Sequence, residues 1–386
     1  MSERRYDLAI ALNYYHPYLS GVARTAKVVA EGLTRRGHRV AVVTTQHDNR
    51  LPQREELNGV DVYRAPIVRK IGRGYFSPAM TRITRDVARR SRLLHVHLPM
   101  LEAALLVRGI GDTPVVTRYH IDVWMPPSLL RAPVTRAVNA SVSSALKASA
   151  AVTINSHDQI VRSVHRATLA DADVHALPAP CTDRRGGTAR YRETAGLHIG
   201  FLGRVVADKG VDRLVRAFRM VDDPDARLLI AGDFEDVAGG STIDVVRAAA
   251  AGDDRVRILG PLTGSALDDF YASIDVFGLP SVVESFGQAQ AEAIMCGVPS
   301  VTVDLPGGRL PVTETGLGVL IERGASDAEL HEALLAAADI PAQRRQQAAA
   351  KALRLFGTDR FLDAYEELLD EHGLDVPVTG REEEVA

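Results

Sequence analysis

Two carboxylates eight positions apart carry the clearest chemistry in this sequence. Glu284 and Glu292 lie in the stretch Pro280-Ser281-Val282-Val283-Glu284-Ser285-Phe286-Gly287-Gln288-Ala289-Gln290-Ala291-Glu292-Ala293. It reads as a strand running into Pro280-Ser281, a short loop, and a helix beginning around Phe286 or Gly287. A helix N-terminus offers free backbone N–H groups and the positive end of the helix dipole, which suits an anion. Glu284 in the loop and Glu292 two turns into the helix can reach one ligand. Each carboxylate could accept from vicinal hydroxyls of a ribose or hexose. The alternative is a carboxylate at a helix start and a solvated helix residue.

Two further groups of residues qualify. Gly203-Arg204 and Lys209-Gly210 straddle the loop between a strand ending at Leu202 and a helix from Val211 to Met220. A planar guanidinium with a compact ammonium suits a diphosphate, although Asp208 could hold Lys209 in a surface pair. Arg118-Tyr119-His120-Ile121-Asp122 closes a β-branched strand and puts a histidine two residues from a carboxylate, an arrangement open to proton transfer or to a purely structural role.

The elements that must position these residues alternate. Strands are predicted at Asp7 to Asn13, Arg39 to Thr45, Leu93 to His97, Pro114 to Tyr119 and Ala151 to Asn155. Between the first two, Val22, Ala26, Val29, Ala30 and Leu33 have helical spacing, with Gly37 placed to end the helix. Asp183 to Gly196 is polar and glycine-containing, as a linker would be. A second series follows, with strands at Leu197 to Gly203, Ala226 to Ala231, Arg255 to Leu259, Val276 to Leu279 and Pro299 to Val303. The pattern predicts an α/β protein of two doubly wound domains, with ligands held beyond the carboxyl ends of the strands. Residues 375–386 read as a frayed tail.

Composition sets outer bounds. The 386 residues are 46% hydrophobic and 25% charged, which excludes disorder, collagen or coiled coil as the main character. No apolar run reaches the roughly 18 residues of a membrane span, and the first residues do not read as a signal peptide. Two cysteines, Cys181 and Cys296, exclude a disulfide framework or a cysteine-built zinc site and fit a reducing cytoplasm. The net charge of −3 conceals 29 Lys+Arg against 16 Asp+Glu in residues 1–200, and 17 against 33 thereafter. That asymmetry suits two domains with different partners.

The motifs in their order resemble glycosyltransferase family 4, the retaining group 1 glycosyltransferases of GT-B fold. The resemblance rests on the E-x7-E spacing of Glu284 and Glu292, on Phe201-Leu202-Gly203-Arg204 to Lys209-Gly210, on Asp275-Val276-Phe277 to Pro280-Ser281, and on Glu292-Ala293 to Cys296-Gly297-Val298-Pro299. Tyr15-His16-Pro17 to Gly21-Val22 and Arg36-Gly37-His38 add to it, and it extends over about residues 6 to 370. It implies two Rossmann-like domains facing across a cleft: an acceptor-side domain at 1–185, a donor-binding domain at 186–360, and a C-terminal helix at 361–374 that returns to the first domain. Arg204 and Lys209, with Gly21, would hold the donor diphosphate. Glu284, Ser285, Phe286 and Gly287 would bind the donor sugar, Glu292 the ribose, and Ile258, Leu259 and Gly260 the nucleobase. His120, with Asp122 beside it, and Glu284 would serve catalysis. No metal and no cofactor is expected, and Asp171-Ala172-Asp173 reads as a surface loop. The sequence departs from the family pattern where Gln288 and Gln290 interrupt a usually apolar helix.

The implied activity is transfer of a hexose from a UDP- or GDP-sugar to a hydroxyl of a lipid, glycan or natural product, with retention at the anomeric carbon and with closure about the linker. Alternatives are a nucleotide-sugar epimerase of the same fold and a non-catalytic nucleotide-sugar binder. No nucleic-acid partner is expected. From Arg64 to Arg92 there are nine cations (Arg64, Arg69, Lys70, Arg73, Arg82, Arg85, Arg89, Arg90 and Arg92) and one acid, Asp86, with Met80, Ile83 and Val87 at helical spacing. Such a helix could place a cytoplasmic protein peripherally on the inner face of an anionic membrane, or attract an anionic acceptor. Equally, the stripe could pack on the sheet with the arginines solvated.

Overall fold

The structure, a computed structural model, describes residues 5–18, 20–71, 74–123, 132–235, 237 and 240–374. The tail at 375–386 and Arg73 lie outside the described residues. The chain divides into two compact units, one formed by Met1–Leu177 with Phe361–Ala386 and the other by Pro178–Arg360. The division thus falls at Leu177/Pro178, ahead of residue 185.

The first unit is built on an eight-stranded sheet. Its strands are β1 (Tyr6–Ala11), β2 (Val40–Thr45), β3 (Arg54–Leu57), β4 (Val60–Ala65), β7 (Ser91–Leu98), β8 (Val115–Tyr119), β9 (Ala151–Ile154) and β10 (Val174–Ala176), and a separate hairpin pairs β5 (Arg69–Ile71) with β6 (Gly74–Phe76). The sheet order is β10-β9-β8-β7-β1-β2-β4-β3, parallel throughout except for β3 against β4. Strands β1 and β2 are buried at every position, which is why they read as unbroken apolar runs rather than alternating ones. The helix Gly21–Arg35 starts at Ser20, whose hydroxyl accepts from the Ala23 amide at 3.1 Å, and turns Ala23, Ala26, Val29, Ala30 and Leu33 inward.

The helix Thr358–Leu369 carries the chain from the second unit into the first. It buries Phe361, Leu362, Tyr365, Leu368 and Leu369 among Leu8, Ile10, Ala26, Val29 and Leu33, so the C-terminal helix does belong to the first unit. A β-carbon on Gly32 would stand 2.5 Å from Leu362 Cδ1, which fixes a side-chain-free position at this crossing. At its edge Arg36 binds Glu366 at 2.6 Å and Asp363 at 2.7 Å, and His38 Nε2 meets Glu366 at 2.7 Å.

The basic segment is tied down. In the helix Pro78–Ala88, Met80, Thr84, Val87 and Ala88 are buried and Ile83 is packed against the same core. Arg85 donates to the carbonyls of Arg108 (2.7 Å) and Leu105 (3.0 Å), and Arg89 to that of Gly109 (3.0 Å). Arg64 is buried and bound to Glu55 at 2.6 Å, and Arg92 faces Asp7 at 3.5 Å. Of the two readings of this stripe the packed one is observed: the sheet takes it, while Arg85 and Arg89 donate to backbone carbonyls.

The second unit has a six-stranded, wholly parallel sheet in the order β13-β12-β11-β14-β15-β16, made of β11 (His198–Leu202), β12 (Arg227–Ala231), β13 (Val256–Gly260), β14 (Val276–Leu279), β15 (Ser300–Val303) and β16 (Gly318–Ile321). The helix after β11 runs Val211–Phe218, two residues shorter than expected. Residues 183–196 are not a free linker. Arg184 binds Asp268 at 3.0 Å, the Thr188 amide donates to Asp269 at 2.8 Å, the Tyr191 amide to Ser273 at 3.0 Å, and Arg192 binds Asp275 at 2.9 Å.

Candidate functional site

In the second unit the carboxyl ends of three strands are stitched together. The Gly203 amide donates to the Ala231 carbonyl at 3.0 Å and the Gly232 amide to the Gly260 carbonyl at 2.8 Å. Gly232 sits at φ +131°, and a β-carbon there would fall 1.9 Å from the Gly203 carbonyl oxygen. Only glycine lets these loops approach so closely. Past Arg204 the chain makes a 3₁₀ turn at Ala207–Lys209 and enters the next helix through Gly210 at φ +63°. A β-carbon on Gly210 would lie 2.8 Å from the Pro280 carbonyl oxygen. The Val282 amide donates to the Asp208 carbonyl at 2.9 Å, so the Lys209 loop is sewn to the Glu284 loop.

That seam brings the two charged groups into contact. Lys209 Nζ donates to Glu284 Oε2 at 2.6 Å, and both side chains are largely buried. The expected alternative partner of Lys209, the Asp208 carboxylate, does not hold it in the manner of a surface pair. Glu284 Oε1 accepts from the Ser285 amide at 3.2 Å. The helix begins at Gln288 rather than at Phe286 or Gly287, because Gly287 takes φ +80° at its N-cap. The Phe286 ring is turned inward against Phe356, centroids 5.3 Å apart, and the whole residue is buried. Ile258, Leu259 and Gly260 end β13 half-buried, with both apolar side chains packed on the core.

Glu292 is not solvated. Its side chain has no exposed surface, and its carboxylate accepts from the Thr182 amide at 3.0 Å and from the Tyr271 hydroxyl at 3.3 Å, with Arg184 Nε at 3.8 Å. Gln290 does not interrupt the helix but braces it. Buried, it donates to the carbonyls of Phe286 (2.9 Å) and Gly308 (2.5 Å) and accepts from the Ser300 hydroxyl at 3.2 Å. Gly308 passes close over Glu284, where a β-carbon would meet Glu284 Cβ at 3.0 Å.

In the first unit, His120 closes β8 with its amide on the Leu98 carbonyl. Its partner is not Asp122 but His97: His97 Nδ1 and His120 Nε2 share a hydrogen bond of 2.9 Å. Behind them the His95 and His97 rings lie 4.5 Å apart, and His95 Nδ1 meets the Tyr365 hydroxyl at 2.5 Å. Burial, reinforced by the Arg118 charge, pushes His97 down to about 3 and holds His120 well below the usual imidazole range. These histidines are neutral donors and acceptors at neutral pH. Arg118, fully buried, is itself lowered to about 10 and donates to Asn155 Oδ1 at 2.8 Å and to the Leu177 carbonyl at 2.9 Å. Asp122 is occupied locally by the Tyr119 hydroxyl, the Ser163 hydroxyl (2.9 Å) and the Val164 amide (3.1 Å). None of these contacts joins it to the His120 ring, which is paired with His97. Gly21 is exposed at the start of its helix, whose first turn carries no acid.

Sequence reasoning missed His95, His97 and Gln290. The signal for the first two was present: two histidines at i and i+2 of a strand share one face of the sheet. Gln290 stands out in the sequence only as a polar interruption of an apolar helix, because its partners Ser300 and Gly308 come from two later segments.

Comparison with known proteins assigns the fold to a class. The profile of the glycosyl transferases group 1 matches residues 193–354, and that of the glycosyl transferase 4-like domain matches residues 20–180. An uncharacterized glycosyltransferase of Methanocaldococcus jannaschii is 27% identical over 325 residues, covering 76% of this chain and 79% of that protein. A GDP-mannose-dependent alpha-mannosyltransferase of Mycobacterium tuberculosis is 28% identical over 345 residues, covering 85% and 86%. Among solved structures, Anabaena HepE in complex with UDP-glucose aligns with a TM-score of 0.72 at 17% identity, over 94% of this chain and 99% of that one. The fold is GT-B, with a parallel-sheet α/β architecture in each unit. The chain belongs to the group 1 glycosyltransferases, and it is a glycosyltransferase.

Proposed function

We propose that this enzyme transfers a hexose from a nucleotide diphosphate sugar, UDP- or GDP-linked, to an acceptor hydroxyl with retention at the anomeric carbon. The observation that carries the reading is the Lys209–Glu284 contact at 2.6 Å, held by the seam between the two loops. A diphosphate arriving at this loop takes Lys209 as a counter-charge, which releases Glu284 to accept from sugar hydroxyls. Each group is prepaid in position by the other. Arg204, in the same loop, shares the diphosphate charge, and the amides of Ser285 to Gly287 lie at the start of the helix that follows. Gly21, exposed at the start of its helix, is assigned a backbone contact to a phosphate. In the reaction the bond from the anomeric carbon to the diphosphate oxygen breaks, the nucleotide leaves with that electron pair, the acceptor oxygen bonds the same carbon, and its proton is lost. The proposal assigns no metal and no cofactor to this chemistry.

His120 is proposed to contact the reacting sugar as a neutral imidazole whose other partner, His97, fixes its ring. Asp122 contributes by holding the loop. The ribose is assigned to Glu292 and the base to backbone groups of Ile258 to Gly260; the Thr182 amide and Arg184 then move off the Glu292 carboxylate as the ribose binds. The identity to a GDP-mannose-dependent enzyme over most of the chain supports testing GDP-mannose first. The UDP-glucose in the Anabaena protein supports UDP-glucose next.

Incubation with UDP- and GDP-hexoses and a panel of sugar, cyclitol and lipid acceptors tests the reading. The expected result is nucleotide release that depends on acceptor, with an α-linked product from an α-linked donor. Failure to bind any nucleoside diphosphate would overturn it, and an epimerised donor without acceptor would replace transfer by epimerisation. For the acceptor, no helix among the described residues is long and apolar enough to cross a membrane. With its apolar stripe packed inside, the 64–92 segment could hold an anionic lipid by charge alone. Sedimentation with anionic vesicles that fades as salt is raised would support a lipid acceptor, and none at low salt would favour a soluble one.

A further inference from the structure

Away from the donor loops, three side chains of the first unit converge on one point. Asp173 and His175 stand two residues apart at edge strand β10, so they project from the same side. His372 arrives from the other end of the sequence, in the short segment Asp370–Leu374 that follows the C-terminal helix. That segment departs from helical geometry at His372 (φ −109°, ψ 18°) and turns through Gly373 at φ +102°. A β-carbon on Gly373 would sit 3.8 Å from Pro114, the residue leading into β8. The turn therefore lays His372 against the sheet instead of letting the helix run on.

The contacts are specific. His175 Nε2 lies 3.0 Å and His372 Nε2 3.7 Å from the same oxygen, Asp173 Oδ2. Both Nε2 atoms are buried and neither makes a hydrogen bond. The three donor atoms all lie within 4.8 Å of one another. The rings are nearly perpendicular, at 84° with centroids 6.3 Å apart. Two imidazoles aimed at one carboxylate oxygen without hydrogen-bond geometry make poor use of each other. They make good use of an ion between them. Zinc bonds of roughly 2.0–2.2 Å to nitrogen and oxygen put tetrahedral ligand atoms about 3.3 Å apart, and 3.0 and 3.7 Å bracket that spacing.

We propose that Asp173, His175 and His372 bind one divalent zinc ion, with solvent as the fourth ligand, and that the ion clips the chain beyond the C-terminal helix onto edge strand β10. Two imidazoles with one carboxylate suit zinc better than magnesium or calcium, which take oxygen ligands. The role is structural: the site ties a three-residue strand at the sheet edge to a segment more than 190 positions later in the sequence.

The test begins with full-length protein stripped by chelator and dialysed against Zn²⁺ alone. The expected result is one equivalent retained at pH 7.5. His175→Gln, His372→Gln and Asp173→Asn each reduce retention at least tenfold, and His372→Cys restores it. Co²⁺ substitution gives the visible absorption of a four-coordinate site. Hydrogen exchange on the unaltered protein provides a readout independent of any variant: Zn²⁺ slows exchange at 174–176 and 370–374 and leaves β11 to β16 unchanged. Absence of retained metal, retention that survives both glutamine substitutions, or protection spread evenly over the chain would overturn the proposal.

Discussion

At the scale of single residues, charge state follows from burial. His97 and His120 hydrogen-bond to each other as neutral rings, with Arg118 close by. The unfolded chain protonates each near pH 6.5, whereas the native state resists protonation to about 3 at His97. Below pH 6.5 the unfolded state therefore binds more protons, and stability falls as pH drops through the window from 6.5 towards 3. The slope is up to about 1.4 kcal/mol per pH unit for each histidine. Urea midpoints measured at pH 7.5, 6.5 and 5.5 check this, and His97→Asn should flatten the profile; an unchanged slope would remove His97 as its source. The Lys209–Glu284 pair predicts a different signature. Lys209→Met should weaken nucleoside diphosphate binding about 10- to 150-fold, the range of a lost charged hydrogen bond of about 1.5–3 kcal/mol, while far-UV circular dichroism stays unchanged. Calorimetric titration reads it directly.

Among elements, the helix Gln288–Met295 shows how a ligand-facing turn is kept in place from behind. Gln290 joins that helix to Gly308 and Ser300, and Gly308 in turn lies over Glu284. Gln290→Leu would strand two buried carbonyls, at about 1–3 kcal/mol each, and should lower the melting temperature by several degrees. The expected loss of sugar transfer exceeds the loss of nucleotide binding, since Glu284 loosens while Lys209 does not; equal losses would show Gln290 to be only a core residue. This element also shows what was legible. Ten of the strands were, because sheets covered on both faces leave continuous apolar runs such as Val40 to Val43, whereas β3, β4, β5, β6, β10 and β16 were not. Lys209 and Glu284 stand out in the sequence through their neighbouring motifs, but their contact with each other does not. Residues 183–196 misled because their polar composition matched a linker, yet Arg184, Thr188 and Arg192 find acids some 80 positions downstream. The arginines of the Pro78–Ala88 helix misled likewise, since a carbonyl acceptor such as that of Arg108 leaves no mark in composition.

For the whole molecule, the C-terminal helix is the piece on which the first unit depends. Ending the chain at Arg360 removes Phe361, Leu362, Tyr365, Leu368 and Leu369 from that core. At about 1.5–3 kcal/mol each, their loss is comparable to the entire stability of a typical domain, so the shortened protein should be recovered insoluble or degraded. A soluble, cooperatively melting product would contradict this. The same arrangement constrains how the protein comes into being on the ribosome. Synthesis runs from the first residue to the last, and domains ordinarily fold in that order. Here Pro178–Arg360 can close its own core while residues 1–177, already made, still wait for the helix that ends at Leu369. The half that is born first is finished last, and its unpaired apolar face is exposed to chaperones and proteases for most of the time the chain is being made.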